Sequence, residues 1–310
     1  MTIIEVSPKA YKEVFPSPYH LFNSVDFNEL NRDKCESIHY LLFEDAKIRL
    51  GLIIGIKEMT ACSPFSAPFG GFSFHHEFLS AEVIDNALQS LDEYLTNRYF
   101  RAVKFILPPL CYHQSFLTKL VNSFVRHNYT ISHIDLNHSF DTSLLNEHYS
   151  EQTLRNNARK NLNIALKQHY LFQKTDDIDL VYDIIRQNRA MRGFPLRMTL
   201  EQVKSTVQII HWDAFVVRSA DDFVASALIY HITNRIVQII YWGNIPVDPS
   251  LKVMNYLAYQ VFNYYKAKDI DIIDIGPSSE HGLPNFGLCD FKESIGCTVT
   301  PKFTFEKQLV

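Results

Sequence analysis

Trp242-Gly243-Asn244 closes an apolar run and leads to Asp248-Pro249-Ser250, a helix start with Asp as N-cap, Pro at the first helical position and Lys252 in the first turn. Open amides at a helix start, with a lysine beside them, attract phosphate. An ordinary capped core helix competes with that reading, because the loop lacks the spaced glycines of a phosphate cradle and the Asp248 carboxylate occupies the amides an anion would use. A second basic feature lies on the helix expected over Gln152–Gln168. Its Leu154, Ala158, Leu162 and Ala165 form a buried stripe, while Arg155, Arg159, Lys160 and Lys167 fill the adjoining arc. Such an arc is either a phosphate surface or a solvated face with local ion pairs, and clustering alone does not separate the two.

Other residues invite chemistry less strongly. Phe69-Gly70-Gly71-Phe72 would let a backbone approach a ligand without a side-chain clash, although turns use glycines for the same freedom. His75-His76-Glu77 has metal-ligating types, but neighbours on an extended chain point to opposite faces, so no metal is expected there. Cys289 and Cys297 have no evident base to activate a thiol, and buried inert cysteines are expected.

The elements that must position these residues alternate strand and helix. Ser37–Phe43 and Lys47–Ile56 read as a hairpin joined by Glu44-Asp45-Ala46. Ser80 caps a helix with Val83, Ile84, Ala87, Leu88, Leu91 and Leu95 on one face, and strand 102–107, helix 115–127 and strand 130–136 follow. Polar residues around Asp141–Ser150 suggest a linker. A helix over Asp179–Met191 precedes three strands, Ala214–Arg218, Phe223–Ile232 and Arg235–Trp242, that are apolar on both faces, as in a sheet covered on both sides. The helix after Asp248 runs into strand Ile272–Ile275, a short helix carrying Phe291-Lys292 and a final strand. Asn97–Pro108 and Asn263–Asp274 read alike, a helix end flowing into a strand, so one order of hairpin, helix, strand, helix, strand occurs twice. The expected organisation is an α/β protein with mixed sheets in two domains, residues 1–145 and 146–310.

Composition leaves room for two cores: the 310 residues are 46% hydrophobic and include 23 Phe and 16 Tyr. A net charge of −4 argues against a broad polyanion surface. Five cysteines without a CxxC spacing, a start without a signal core and no apolar run of about 18 residues give the expectation of a cytoplasmic protein with no membrane span.

The doubled sheet-and-helix order, LRNNARKNLNIAL at 154–166, the YWGN strand end at 241–244 and above all GLPNFGLCDFKESIG at 282–296 resemble the FemABX-like branch of the GCN5-related N-acyltransferase (GNAT) superfamily. The likeness is strong over residues 150–307 and looser over 1–145, where Ala67–Phe72 carries it. It implies two tandem GNAT-like domains and transfer of an acyl group, acetyl from acetyl-CoA or another acyl-CoA, to an amine of a cell-wall or surface-polysaccharide precursor. The alternatives it leaves are an aminoacyl-tRNA-dependent transferase acting on a peptidoglycan precursor and a non-catalytic module that binds a glycan or nucleotide sugar. The resemblance implies that Phe291-Lys292 match the family's aromatic-lysine pair, with Lys292 facing transition-state charge from a helix at the rim of the site. It also implies that Arg155, Arg159 or Lys160 meets acceptor phosphates; Phe69, Gly70 and Gly71, from their own open backbone, are expected beside the acceptor. Two features depart from the pattern: the spaced glycines of the pyrophosphate loop are missing, and no long helical hairpin lies between Asp176 and Asp213.

Amide formation from a thioester or ester needs a neutral amine, a stabilised oxyanion and a proton for the leaving group. An amide near Trp242-Gly243 suits the oxyanion, Glu280 and His281 are the nearest base candidates, and Tyr241 is a candidate acid. Trp242, Gly243, Asn244, Lys252 and Phe291 make up the expected donor side.

Overall fold

The structure is a computed structural model and describes residues 1–75, 79–194, 196–245 and 248–309. Two compact units form: Met1–Asp135 with the chain's end from Thr300, and Leu136–Val299. In the first, β1 (Thr2–Val6), β2 (Ser37–Glu44), β3 (Ile48–Lys57) and β4 (Thr60–Ser63) run in sequence order across a sheet, and β5 (Phe72–Phe74) also pairs with β3. The short helices α1 (Pro8–Val14) and α2 (Val25–Leu30) lie between β1 and β2. The expected hairpin is β2–β3, with Ser37 opposite Ile56. Helix α3 (Ala81–Asn97) starts where the Ser80 Oγ accepts the Val83 amide at 3.2 Å and buries Ile84, Ala87, Leu88, Leu91 and Leu95. Then come β6 (Ala102–Ile106), α4 (Gln114–Arg126) and β7 (Thr130–Asp141).

In the second unit α5 (Asn156–Ala165), β8 (Leu171–Lys174), α6 (Ile178–Met191) and α7 (Leu200–Val207) precede the antiparallel β9 (Trp212–Ser219), β10 (Asp222–His231) and β11 (Ile236–Asn244). Next are α8 (Val253–Lys266), β12 (Ile272–Pro277), the small hairpin β13 (Ser279–Glu280) and β14 (Leu283–Pro284), α9 (Phe286–Ser294) and β15 (Thr298–Gln308). Alternation along β10 divides its faces. Ala225, Ala227 and Ile229 join the core built on Leu257, Val261 and Phe262 of α8, whereas the Ser226 Oγ donates to the Val181 carbonyl of α6 at 3.0 Å.

The doubled order is visible in how the helices end. After α3 and after α8 the chain closes through a left-handed residue, Tyr99 (φ 61°) or Asp269 (φ 55°), and the next amide returns to the helix: Phe100 to the Leu95 carbonyl and Ile270 to the Tyr265 carbonyl, both at 3.1 Å. Asn128 after α4 and Gly296 after α9 repeat the closure, with Tyr129 bonded to Phe124 and Cys297 to Lys292. A buried apolar residue follows each bend, which aims the next strand into its sheet.

The final strand of each repeat pairs away from its own repeat. Residues 137–141 of β7 lie antiparallel to β12 in the second unit, and residues 304–308 of β15 lie antiparallel to β6 in the first. The compact units therefore differ from the expected division at 145/146, because long-range pairing rather than chain order sets them. Other local expectations shift too. The strand expected over 130–136 runs on to Asp141, and the helix expected from Gln152 begins at Asn156, after a π-turn over Tyr149–Thr153. Asp248 caps the 3-10 turn Pro249–Leu251 rather than α8, and Lys252, left-handed at φ 54°, stands just before α8 instead of in its first turn. None of the five cysteines forms a disulfide. No helix of the described residues is long and apolar enough to cross a membrane.

Candidate functional site

The second unit's sheet opens at one place. Strands β11 and β12 run parallel and pair only from Ile236–Gln238 to Ile272–Asp274, while β11 continues to Asn244 along β10. On its other side β12 bulges against β7, leaving Ile275 unpaired between Asp274 and Gly276, and Gly276 takes φ 74°. Buried polar groups hold this break. The Asp274 carboxylate, fully buried, accepts the Asn137 amide at 2.8 Å, the Gln238 amide at 2.7 Å and the Gly276 N–H at 2.8 Å.

Lys292 closes the same break from α9. It is 2% exposed, and its ammonium donates to the carbonyls of Ile275 (2.9 Å), Gly276 (2.8 Å) and Pro277 (3.1 Å). Burial pushes the ammonium down to about 8, against the opposing pull of Cys297, Asp274 and Cys289. The expected rim cation is thus a brace inside the sheet, since the carbonyls freed by the bulge need donors where water is excluded. Its neighbour Phe291 is half-buried and meets the edge of Trp242 at 6.1 Å.

Trp242 and Tyr241 leave β11 on opposite faces. Trp242 joins the α8 side, whereas Tyr241 faces α6 and its hydroxyl accepts the Met198 amide at 3.3 Å. Burial raises the phenol's pKa, so at neutral pH it carries its proton. Gly243 also faces α6: a Cβ there would stand 2.6 Å from Asn188 Cγ, whose amide donates to the Asn244 carbonyl at 2.7 Å. This glycine is required by packing whether or not its amide serves an oxyanion. Gly243→Ala is expected to lower unfolding stability by about 1–3 kcal/mol through forced overpacking, read as a shifted urea midpoint; an unchanged midpoint would show that Asn188 yields freely. The Asn244 side-chain amide donates to the Ile245 carbonyl at 2.8 Å, and the loop toward Lys252 includes residues 246 and 247, outside the described residues.

Beyond Tyr241 is a hollow of about 460 Å³ lined by Tyr182, Arg186, Arg189, Gly193, Phe194 and Leu196. Arg189 is half-buried, its Nε has no hydrogen-bond partner, and it forms no ion pair among the described residues. Burial lowers its pKa; Tyr241 opposes the shift, while Arg192 and Arg197 add to it. A desolvated guanidinium without a carboxylate fits an incoming anion. Sequence reading passed over this residue, although Arg186, Arg189 and Arg192 recur every third position of one helical stretch. A larger hollow of about 570 Å³, lined by Asn146, Tyr149, Leu162, Asn163, Tyr259 and Lys266, contains no nominated residue. There the Lys266 ammonium is already bonded to the Leu145 carbonyl. The smaller hollow is therefore the better anion site.

Several nominated residues have other partners. Arg155 is held by Glu293, with Asp290 at 3.8 Å, and ties the start of α5 to α9. Arg159 donates to Asn156 at 2.8 Å, and Lys160 is exposed. Glu280 pairs with Arg197 at 2.6 Å on the surface. His281, at φ 51°, and Gly282, at φ 80°, form the two-residue turn of the β13–β14 hairpin. In the first unit Phe69 is fully buried against His20, Phe22 and Tyr112. The Gly70 amide donates to the Ile106 carbonyl at 2.9 Å, and a Cβ there would stand 2.7 Å from the Pro64 nitrogen. Gly71 donates to the Ser63 Oγ at 3.0 Å and accepts the Asn23 amide at 3.1 Å, so this segment serves the fold of its own unit. His76 and Glu77 lie outside the described residues.

No family model matches the chain, and no curated protein matches it. Solved structures do. One described as the crystal structure of FemX aligns over 99% of this chain and 97% of its own, with a TM-score of 0.72 and 11% identity. L-PGS from Bacillus licheniformis aligns over 97% and 92% at TM-score 0.59 and 12% identity. A tandem GNAT protein from the clavulanic acid biosynthesis pathway aligns over 100% and 98% at TM-score 0.51 and 6% identity. The chain shares the fold of these structures, a mixed α/β architecture like that of FemX and of the tandem GNAT protein.

Proposed function

We propose that this protein is an acyltransferase that joins an acyl group to an amine of a phosphate-bearing cell-wall or surface-polysaccharide precursor, with acetyl-CoA or another acyl-CoA as donor. The observation that carries the reading is the unpaired Arg189 guanidinium near the Tyr241 phenol, at the side of the sheet where β11 and β12 part. The β11–β12 ladder ends at Gln238 and Asp274, and an extended, amide-containing arm such as that of CoA adds to a strand past such an end through main-chain hydrogen bonds. The substrate amine attacks the thioester carbonyl as the free base, the tetrahedral oxyanion draws on strand-end amides, and the thiolate leaves with a proton. Tyr241, kept protonated by burial, donates that proton and as phenolate takes up the one the attacking nitrogen loses, and the Arg189 pocket holds phosphate on one of the two substrates.

The fold supports an aminoacyl-tRNA donor equally well. Under that reading the leaving group is a ribose hydroxyl and the pocket's arginines meet nucleic-acid or precursor phosphate. A non-catalytic glycan or nucleotide-sugar binder is the third reading. A thermal-shift panel of acyl-CoAs, aminoacylated tRNA and nucleotide-linked amino sugars separates them, because a ligand that binds only the folded state raises its melting temperature. A shift with an acyl-CoA, followed by acyl transfer to the amino sugar, is expected. A shift with charged tRNA alone would move the donor assignment, and binding without turnover on any pair would leave the binding module.

A further inference from the structure

The ladder between β9 and β10 gathers three residues of metal-binding type at one end. It pairs Trp212 with Tyr230 and Asp213 with Ile229, and the His231 amide donates to the His211 carbonyl at 3.0 Å, so His211 and His231 face each other. Residues two apart on an extended chain share a face, and directly opposed Cβ atoms lie about 4.5–5.5 Å apart. His-x-Asp on one strand and a facing His on the next must therefore converge. The two imidazoles stack with centroids 3.7 Å apart and planes 18° from parallel. Asp213 is 3% exposed, and its Oδ2 accepts the Tyr265 hydroxyl at 2.8 Å and lies 2.8 Å from His231 Nε2. One ligand atom from each of the three residues lies within 4.8 Å of the others.

We propose that His211, Asp213 and His231 bind a divalent transition ion of the Zn²⁺ class at this end of the ladder, outside the residues of the strand-end site. Zn²⁺ takes imidazole nitrogen and carboxylate oxygen at about 2.0–2.2 Å, which puts ligand atoms about 3–3.5 Å apart and requires the trio, now within 4.8 Å, to contract by up to roughly 1.5 Å. His211 is exposed and precedes β9, so its side chain supplies that movement while Tyr265 fixes Asp213. Ligation needs neutral imidazoles. Two nitrogen donors select Zn²⁺, Co²⁺ or Ni²⁺ over Mg²⁺ and Ca²⁺, which prefer oxygen. The resident competitor is the Lys174 ammonium, 2.5 Å from Asp213 Oδ1 on a side chain 46% exposed, free enough to swing away.

Zn²⁺ titration of the tag-free chain against a chromophoric chelator, with Co²⁺ absorption as a second readout, tests the site. One Zn²⁺ per chain is expected, with affinity at least about tenfold weaker in His211→Ala and several-fold stronger in Lys174→Met, where the competing cation is gone. The exposed position of His211 lets its Ala variant fold, which a metal-free unfolding midpoint checks. Zn²⁺ affinity that is equal in wild type and His211→Ala, or unchanged by Lys174→Met, overturns the proposal and leaves the cluster as an ion-paired network with weak binding elsewhere among the 13 histidines.

Discussion

Lys292→Met is expected to reduce the unfolding free energy by about 3–5 kcal/mol, the cost of removing one member of a buried charged network. Methionine matches the length of the lysine stem but offers no proton to the carbonyls of Ile275, Gly276 and Pro277, and it removes a positive charge that Asp274 feels. The buried Ile275 and Gly276 carbonyls then lose this donor, and so does the part-buried Pro277 carbonyl. A surface lysine replaced in the same way would change stability by less than about 0.5 kcal/mol, so a urea midpoint close to wild type would refute the brace. A charge-stabilising role in catalysis, with a turnover loss of roughly 10²–10³-fold, is read separately, at temperatures where the variant remains folded.

The same lysine sets a pH signature. Its folded-state pKa of about 8 lies below the 10.5 ordinary for a lysine, so between those values the unfolded chain binds a proton that the folded chain lacks. Stability from this group therefore rises with pH through that window, by up to roughly 1.4 kcal/mol per pH unit, and is flat below it. Wild type minus Lys292→Met is expected to show that slope. An equal pH dependence in both proteins would mean that the amine titrates as if exposed.

Why Lys292 was legible as a residue but not in depth follows from what a sequence encodes. A lysine on a nine-residue helix reads as solvent-facing, since lysines are almost never buried unless paired. Its partners are backbone carbonyls released by a bulge, and no residue type marks these. Helices α3 and α4 and the β2–β3 hairpin were readable because caps, periodicity and turns are local. Strand β8 was not: its four residues alternate weakly on a sheet edge where no burial enforces a pattern. The capping box of α7, Thr199 with Gln202, was in the letters and went unread. The exchange of β7 and β15 was hidden for another reason, because a strand's own sequence does not specify which repeat supplies its neighbour. Arg155 shows the converse error. Its basic arc was visible, while Glu293, which binds it, is 138 residues away.

Arg189→Met is expected to weaken binding of the phosphate-bearing substrate by about 10²-fold, the scale of losing a desolvated charge-assisted contact of roughly 2–3 kcal/mol, while leaving the protein as stable as wild type or slightly more so. The two halves of that expectation come from one observation. A half-buried guanidinium whose Nε has no partner is a penalty to the empty fold, so an apolar side chain of similar length relieves it. That penalty is recovered only when an anion arrives. Arg189→Lys keeps the charge but loses the planar fork, and an intermediate affinity is expected. The effect should fall in KM, and the wild-type advantage should shrink at high salt only modestly, because the pocket is partly shielded from screening ions. Titration calorimetry with the ligand found by thermal shift, beside urea unfolding of both variants, measures each half. Affinity unchanged in Arg189→Met would remove the anion pocket, and with it the link between this part of α6 and the substrate. Affinity lost together with stability would instead make Arg189 a structural residue, with the Tyr241 side of the sheet left without a charge to draw phosphate.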